Sequence, residues 1–368
     1  MHDYDVDPLN LHPYSRTAAT LGRVCKRWRA LSLGYSALWT AVDVVYPDQE
    51  GTKTLRRCLR YSAGRPLTLW ISNGLRLTAR GQSYDPHFMP LITANAHRWV
   101  EISIELTDEH QFLRPLLSLP PASFSALRRA RLKFWNVVSD VSTLDTHLWM
   151  SFFTSPRLDT ADWVCNQFSR VGVGAAPLRQ LTKIGMHFAE PYMLAPILHN
   201  CANLEFLFVS IVPVRYGVDH SGRPFVLAPA CLPRLRVLSL CGPHDWSQVF
   251  EALTAPALDR LEMSRMEIPE RDIQIMLDRS NARLTMLAVH RPRLGQAGKL
   301  RTLLQDPALQ SLQIVRYERA RWGDSALGWE EEFDLRPFVA SHISFTASAT
   351  VAEALYAKYA SVIFPTLT

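Results

Sequence analysis

One short pattern, Leu-x-x-Leu-x-apolar, recurs five times in the second half of the chain and limits the folds open to it. Its middle leucines are spaced by 31, 23, 26 and 25 residues, and they are Leu207, Leu238, Leu261, Leu287 and Leu312. Because leucine is abundant, chance alone supplies roughly three such matches, and the ordered spacing is the significant observation. An interval of roughly 20–29 residues is typical of a chain that stacks one structural unit on the next.

Proline supports the same division of the chain. It stands two residues before the first leucine of four units, as Pro156, Pro233, Pro256 and Pro307. Proline is tolerated where a strand begins, because it fixes φ and needs no hydrogen bond there. If other apolar or small residues are accepted in place of leucine, the series extends towards the N-terminus and the mean interval between units is 27 residues. The six weaker units are Trp39/Val42/Val44, Gly64/Leu67/Leu69, Trp99/Ile102/Ile104, Leu127/Ala130/Leu132, Leu158/Ala161/Trp163 and Leu178/Leu181/Lys183.

The units predict strands that alternate with helices. Side chains alternate along a strand, so the second and third apolar residues of each unit share one face. Segments between the strands carry helical spacing, as in Ile273, Met276 and Leu277. One unit cannot bury these faces alone, whereas a stack of units forms a continuous parallel sheet. The sequence therefore predicts an α/β leucine-rich-repeat solenoid over residues 39–340, a parallel β-sheet horseshoe with outer helices.

A C-terminal capping helix is expected within residues 341–368. Val351, Leu355, Tyr359 and Val362 follow at steps of 4, 4 and 3 residues and mark one apolar helix face. The terminal unit of a repeat stack exposes its core on one side, and such a helix would cover it. A helix on a membrane surface would need several Lys or Arg residues on its polar face, where Lys358 stands alone.

The residues that alternate with the inward leucines are predicted to face the concave side, where solenoids usually bind. Phe206 and Phe208, on either side of Leu207, either anchor a protein target or pack against a neighbouring loop. The candidate target-binding residues are Trp70, Phe206, Phe208, Glu262, His290 and Gln313.

Charged residues occupy the same predicted face in the first half of the chain. Glu101 and Glu105 are expected to pair with Arg129 and Lys133 on the next strand. We interpret these residues as a structural ladder.

The sequence carries none of the common catalytic motifs. Phosphate-binding glycine loops, the G-x-S-x-G nucleophile elbow and the H-E-x-x-H zinc helix are all absent. The six cysteines are scattered, with no CxxC pair, so neither a metal nor another cofactor is predicted. The lack of a signal-peptide or membrane-span pattern favours the cytoplasm or nucleus. The formal charge of +6 is mild, and arginine is spread along the whole chain.

A predicted helix over Leu21–Leu31 has one apolar face, formed by Leu21, Val24, Cys25 and Trp28, and its basic residues lie mostly on the other. By spacing alone, this is a core helix with a solvated face. A basic helix for nucleic acid or calmodulin would need more length and more flanking basic residues.

The same residues resemble the C-terminal half of an F-box. In fungal F-box proteins a Val-Cys-(Lys/Arg)-Arg-Trp-Arg run precedes a Leu-Trp pair that opens the first repeat strand. Here Val24–Arg29 and Leu38–Trp39 stand in those places. Residues 60–67, Arg-Tyr-Ser-Ala-Gly-Arg-Pro-Leu, are also similar to the segment before the next strand in such proteins. The F-box likeness covers about residues 21–39, and the repeat likeness covers most of the remainder.

This resemblance implies a substrate-recognition subunit of a cullin–RING ubiquitin ligase of the SCF type. In that family the F-box binds a Skp-type adaptor, and the repeats present a protein target. Nothing in the resemblance implies a membrane partner, and nucleic acid is not expected. Within a truncated F-box-like helical segment over residues 1–38, the implied adaptor-binding residues are Leu21, Val24, Cys25, Trp28 and Leu31.

The first 20 residues depart from the family pattern. A complete F-box opens with a Leu-Pro-x-Glu helix rich in Ile and Leu, whereas Asp7-Pro8-Leu9 and Leu11-His12-Pro13 have no such continuation. Either the chain is truncated at a wrongly assigned start, or adaptor binding has been lost. The alternative function is a stand-alone leucine-rich-repeat scaffold, structural or nucleic-acid-associated, with no ligase role.

Overall fold

The structure, a computed structural model, divides into two compact units, Met1–Gln180 and Leu181–Thr368. The structure describes residues 16–45, 47–72, 84–106, 114–120, 122–134, 152, 155–164, 178–189, 193–211, 226–290, 296–318 and 344–346.

The described part of the N-terminal unit starts with two short helices, and strands and helices follow. A 3₁₀ turn over Ser36–Trp39 joins the helices to the first strand. The five strands lie side by side in chain order, and each described pair is parallel. The elements are α1 (Arg16–Val24), α2 (Lys26–Gly34), β1 (Ala41–Val44), α3 (Gln49–Tyr61), β2 (Leu67–Ser72), α4 (Phe88–Ala94), β3 (Trp99–Leu106), α5 (Arg114–Leu117), β4 (Arg129–Phe134) and β5 (Thr160–Val164).

The C-terminal unit repeats the same alternation. Seven strands form a sheet in the order β6-β7-β9-β11-β12-β13-β14, and a separate parallel pair joins β8 to β10. The elements are β6 (Lys183–Ala189), α6 (Leu194–Asn200), β7 (Phe206–Ile211), β8 (Ala230–Cys231), β9 (Val237–Cys241), α7 (Ser247–Ala252), β10 (Leu253–Thr254), β11 (Arg260–Ser264), α8 (Glu270–Ser280), β12 (Met286–His290), α9 (Ala297–Leu304), β13 (Ile314–Glu318) and β14 (Ser344–Thr346).

Four of the five predicted middle leucines form one row across the C-terminal sheet. Leu207 is in register with Leu238, Leu238 with Leu261, and Leu261 with Leu287. All four are almost completely buried. Since parallel strands align residues of the same face, one aliphatic side chain from each strand joins a continuous core.

The fifth leucine does not belong to this row. Leu287 is in register with Val315, and β13 begins only at Ile314, so the prediction for Leu312 is wrong. Leu312 instead closes a turn, in which its N–H donates to the carbonyl of Leu309 at 3.0 Å. Apolar residues stand at 309, 312 and 315, three positions apart, so the motif can be placed on the first two or on the last two. The sequence pattern favoured the first placement, whereas the structure has the second.

In the N-terminal half, four of the six weaker units are correctly placed. Their middle residues lie in one row of the sheet, which also contains Leu69: Val42, Ile102, Ala130 and Ala161. All five are buried, which confirms the inward face that the relaxed pattern predicted.

Two of the weaker units are shifted. The pattern predicted Leu67 as the middle residue of its unit, but it is Leu69 that lies in the row with Val42 and Ile102. The side chains of Leu67 and Leu69 both face inward and are buried. On β6 it is Ile184, and not Leu181, that is in register with Leu207. Leu178 lies in a 3₁₀ turn just before that strand, as Leu309 does before β13, and the turn supplies the extra apolar residue that misled the frame.

The helices between the strands bury one apolar face each. On α8, Ile273, Met276 and Leu277 are buried as predicted, while Ile275 is 44% exposed. The structure is therefore a mixed α/β protein with a large parallel sheet, as the repeats predicted. The expected C-terminal capping helix lies outside the described residues.

Candidate protein-interaction sites

Helices α1 and α2 pack together as a hairpin that breaks at Cys25, where the sequence predicted one continuous helix. Cys25 caps α2, since its Sγ accepts a hydrogen bond from the Trp28 N–H at 3.5 Å. Arg29 holds the pair together because its Nε donates to the Gly22 carbonyl at 3.0 Å. Trp39 anchors α2 to the 3₁₀ turn through a hydrogen bond of 2.7 Å from Nε1 to the Ser32 carbonyl.

The apolar residues of this hairpin are exposed. Val24 is 63% exposed, Trp28 46% and Leu31 59%; Cys25 is also exposed, and Leu21 is half-buried. Ser32 is the one buried side chain of α2, every residue of which the structure describes. The interpretation of this segment as a core helix is therefore wrong.

Tyr35 continues the exposed series and was missed by the sequence analysis. Val24 ends α1, whereas Trp28 and Leu31 lie on α2 and Tyr35, 61% exposed, follows the end of α2. The step from Leu31 to Tyr35 continues the spacing of the apolar residues on α2, and this was the signal for Tyr35 in the sequence. We call these four residues the N-terminal apolar surface. Soluble proteins rarely expose large apolar side chains together unless they bind a partner there.

The outward face of β3, β4 and β5 carries charges that form a buried cluster. The carboxylate Oδ2 of Asp162 lies 2.6 Å from Arg131 Nε and 3.5 Å from Lys133 Nζ, and the Asp162 side chain is 2% exposed. The predicted pair of Glu101 and Arg129 is confirmed at 2.6 Å. Asp162 is a carboxylate partner of Lys133 that the sequence did not indicate. Glu105 is in register with Lys133 on the adjacent strand, and the predicted pairing of these two residues stays a prediction. This face is therefore occupied largely by internal pairing.

Trp70 lies on the same outward face, between Asp43 on β1 and Ser103 on β3. Its side chain is half-buried. Its indole Nε1 is buried and makes no hydrogen bond with any residue that the structure describes. Trp70 thus remains a candidate contact with an unused donor.

In the C-terminal unit, two of the predicted contacts lie on β7. Phe206 and Phe208 are both half-buried on the outward face. The Phe208 ring lies 4.9 Å from the ring of His187 on the neighbouring strand β6. Phe208 therefore packs against a neighbouring strand, whereas the alternative considered above was packing against a loop. Both phenyl rings remain partly exposed.

The remaining predicted contacts are less accessible. Arg260, two residues earlier on β11, binds the Glu262 carboxylate through its Nε at 2.7 Å. His290 lies on the outward face at the end of β12 but is only 5% exposed. A partner would have to displace neighbouring groups before it reached either side chain.

Gln313 is not on the outward face of a strand, and its prediction is wrong. It precedes β13, and its N–H donates to the Thr285 carbonyl at 2.9 Å. The strand residue in line with Glu262 and Ala288 is Arg316. The sequence did not indicate Arg316, because the motif of this unit was placed three residues too early, on Leu312 and not on Val315.

Two buried thiols are unsuited to nucleophilic chemistry. Burial raises the pKa of the Cys58 thiol to about 11 although nearby Arg57 opposes the shift, and it raises the pKa of Cys201 to about 12. Both thiols are therefore protonated at neutral pH. Across the described part of the chain, His, Cys, Asp and Glu nowhere gather in a group of three that suits a metal ion.

Every helix that the structure describes is too short or too polar to cross a lipid bilayer. Comparison with protein-family models and with curated proteins found no match for this chain.

Proposed function

We propose that this chain is a non-catalytic substrate-recognition subunit of an SCF-type cullin–RING ubiquitin ligase, acting in the cytoplasm or nucleus. The N-terminal apolar surface binds the Skp-type adaptor, and the repeats hold the protein to be ubiquitinated. The observation that carries the proposal is the exposure of Val24, Trp28 and Leu31. These residues belong to the segment that resembles the F-box, and burial on a partner would remove their apolar area from water.

The proposal includes the identity of the fold as a leucine-rich-repeat solenoid. Its support is the row of buried leucines from Leu207 to Leu287, one from each of four successive parallel strands. A second support is a recurring turn before the strand, in which Leu235 N–H donates to the Leu232 carbonyl and Leu258 N–H to the Ala255 carbonyl. Both features repeat at the interval of the sequence pattern.

The target-binding part of the proposal rests on Phe206 and Phe208. Aromatic side chains supply much of the energy of protein interfaces because they bury large areas with few rotatable bonds. Both are half-buried already, so their ordering costs little when a target docks. Trp70, whose side chain is half-buried on the outward face, is the corresponding residue of the N-terminal unit.

Adaptor binding is the direct test. In isothermal titration calorimetry with a purified Skp-type adaptor, we expect the full chain to bind and Trp28→Ala to weaken binding by about 30-fold or more, as for an aromatic anchor. Circular dichroism should show the fold intact, because Trp28 is 46% exposed and contributes little to the core.

The matched control is Ile275→Ala, which removes an exposed apolar side chain from α8 in the C-terminal unit. It should bind the adaptor as the unaltered chain does. Failure of the unaltered chain to bind would overturn the proposed function. Equal binding by Trp28→Ala would instead show that the adaptor uses another surface.

A further inference from the structure

Net charge is concentrated near the N-terminus, although arginine itself is widespread. Residues 16–65 contain ten Lys and Arg residues against three Asp and Glu residues, a formal net charge of +7. The whole chain carries +6, so the other 318 residues are close to neutral. A charge difference of this size over so short a segment favours an acidic partner.

Much of this charge lies along one side of α3. Four cations of this helix are spaced at i, i+3, i+4 and i+7, which puts them on one side, and all four are exposed: Lys53, Arg56, Arg57 and Arg60. We call them the basic stripe. The opposite face of the helix is buried through Thr52, Leu55 and Cys58. Packing of that face fixes the direction in which the basic stripe points.

The basic stripe does little for the stability of the fold. Lys53 pairs with Glu50, but Arg56, Arg57 and Arg60 form no salt bridge with any described residue. Like charges four residues apart, as in Lys53 with Arg57 and Arg56 with Arg60, destabilise a helix. Arg60 gains from its place in the last turn and lies 5.5 Å from the centre of the Tyr61 ring, but folding gives no reason for four neighbouring cations on one side of the helix, whereas binding would.

The basic stripe and the N-terminal apolar surface are joined through the same 3₁₀ turn. Trp39 at the end of this turn holds α2 through the Ser32 carbonyl, and its ring lies 5.0 Å from that of Tyr61 at the end of α3. Arg65, just beyond α3, donates from Nε to Ser36 Oγ at 2.7 Å. The two surfaces therefore belong to one packed structure, in which the 3₁₀ turn contacts both α2 and α3.

We infer that the protein that docks on the N-terminal apolar surface also presents an acidic surface, which the basic stripe engages through salt bridges. This inference rests on the proposed function and adds the electrostatic character of the partner. Three of the four cations are arginines, which bind carboxylates with two parallel hydrogen bonds. An apolar anchor beside charged residues is the usual anatomy of a protein interface.

Other anionic partners fit these observations less well. The apolar face of α3 is buried in the protein, so this helix has no face left to enter a membrane. Nucleic acid would neutralise the basic stripe, but its phosphate backbone offers no apolar surface to cover Trp28 and Leu31. A protein with an acidic surface satisfies both the charged and the apolar residues, whereas binding to vesicles of anionic lipid, with adaptor association unchanged in the basic-stripe variant, would assign the basic stripe to a membrane surface.

The experiment reverses two charges of the basic stripe with the double substitution Arg57→Glu and Arg60→Glu. Each new carboxylate stands four residues after a cation, Lys53 or Arg56, which offsets the repulsion between the two carboxylates three residues apart and the loss of a cation from the last helical turn. Circular dichroism checks that the variant keeps its fold. Stopped-flow binding of the full chain to the Skp-type adaptor at low ionic strength should show about tenfold slower association. The difference from the unaltered chain should shrink as salt is added.

The control makes the same change of charge elsewhere, with Arg271→Glu and Arg283→Glu, both exposed in the C-terminal unit. It should associate about as fast as the unaltered chain. Equal rates for the basic-stripe variant and this control would overturn the inference alone, and a chain that never binds the adaptor would overturn the proposed function with it. Binding of a duplex DNA that the basic-stripe variant abolishes, with adaptor association unchanged, would assign the basic stripe to nucleic acid.

Discussion

Replacing Asp162 by asparagine should lower the free energy of unfolding by about 3 to 5 kcal/mol. The Asp162 side chain is 2% exposed and is the carboxylate partner of Arg131 at 2.6 Å and of Lys133 at 3.5 Å. The amide keeps the shape but removes the negative charge, so two cations with side chains only 15% and 11% exposed lose this carboxylate partner. Urea denaturation followed by circular dichroism measures the loss.

Glu101→Gln is the matched control, since it makes the same chemical change on a neighbouring strand. Glu101 pairs with Arg129 at 2.6 Å, but the Arg129 side chain is 47% exposed and water can replace its partner. The cost should stay below about 1 kcal/mol. Similar costs for the two variants would mean that the buried cluster is no more than a surface ion pair.

Leu261→Ala should destabilise the C-terminal unit by about 2 to 5 kcal/mol, because it opens a cavity in the row of buried leucines. Leu261 is completely buried and lies between Leu238 and Leu287 on the two adjacent strands. Neither neighbour can fill the space, because the sheet fixes its position. The shift in the urea midpoint at an unchanged denaturant slope measures the effect.

Ile275→Ala removes a similar side chain from an exposed position on α8 and should change stability by about 0.5 kcal/mol or less. If Leu261→Ala were as mild as this control, the row of leucines would not be the core that holds the strands together.

Much of the fold was predictable, because alternation along strands is a local property. Val42, Ile102, Ala130 and Ala161 share one buried row, although none is a leucine. The errors at Leu181 and Leu312 have one cause: a 3₁₀ turn places an additional leucine six positions before the residue that lies in the buried row. Residue spacing alone does not distinguish a turn that closes on the core from the strand that follows it.

The outward residues were harder to predict, because their roles depend on neighbours from other strands. The alternation placed Glu262 and His290 on the correct face. It carried no information on the pairing of Glu262 with Arg260 or on the burial of His290. Burial on that face is decided by the lengths and charges of side chains on adjacent strands, which are distant in sequence.

The alternation of strands and helices, and the face on which most core residues lie, follow from the amino-acid sequence alone. The exposure of Val24, Trp28 and Leu31 and the burial of Asp162 follow instead from the packing of the folded chain. The physical reason is that periodicity marks an apolar helix face equally well whether the protein's own core or another molecule covers it. Which of the two applies depends on the packing of the whole chain.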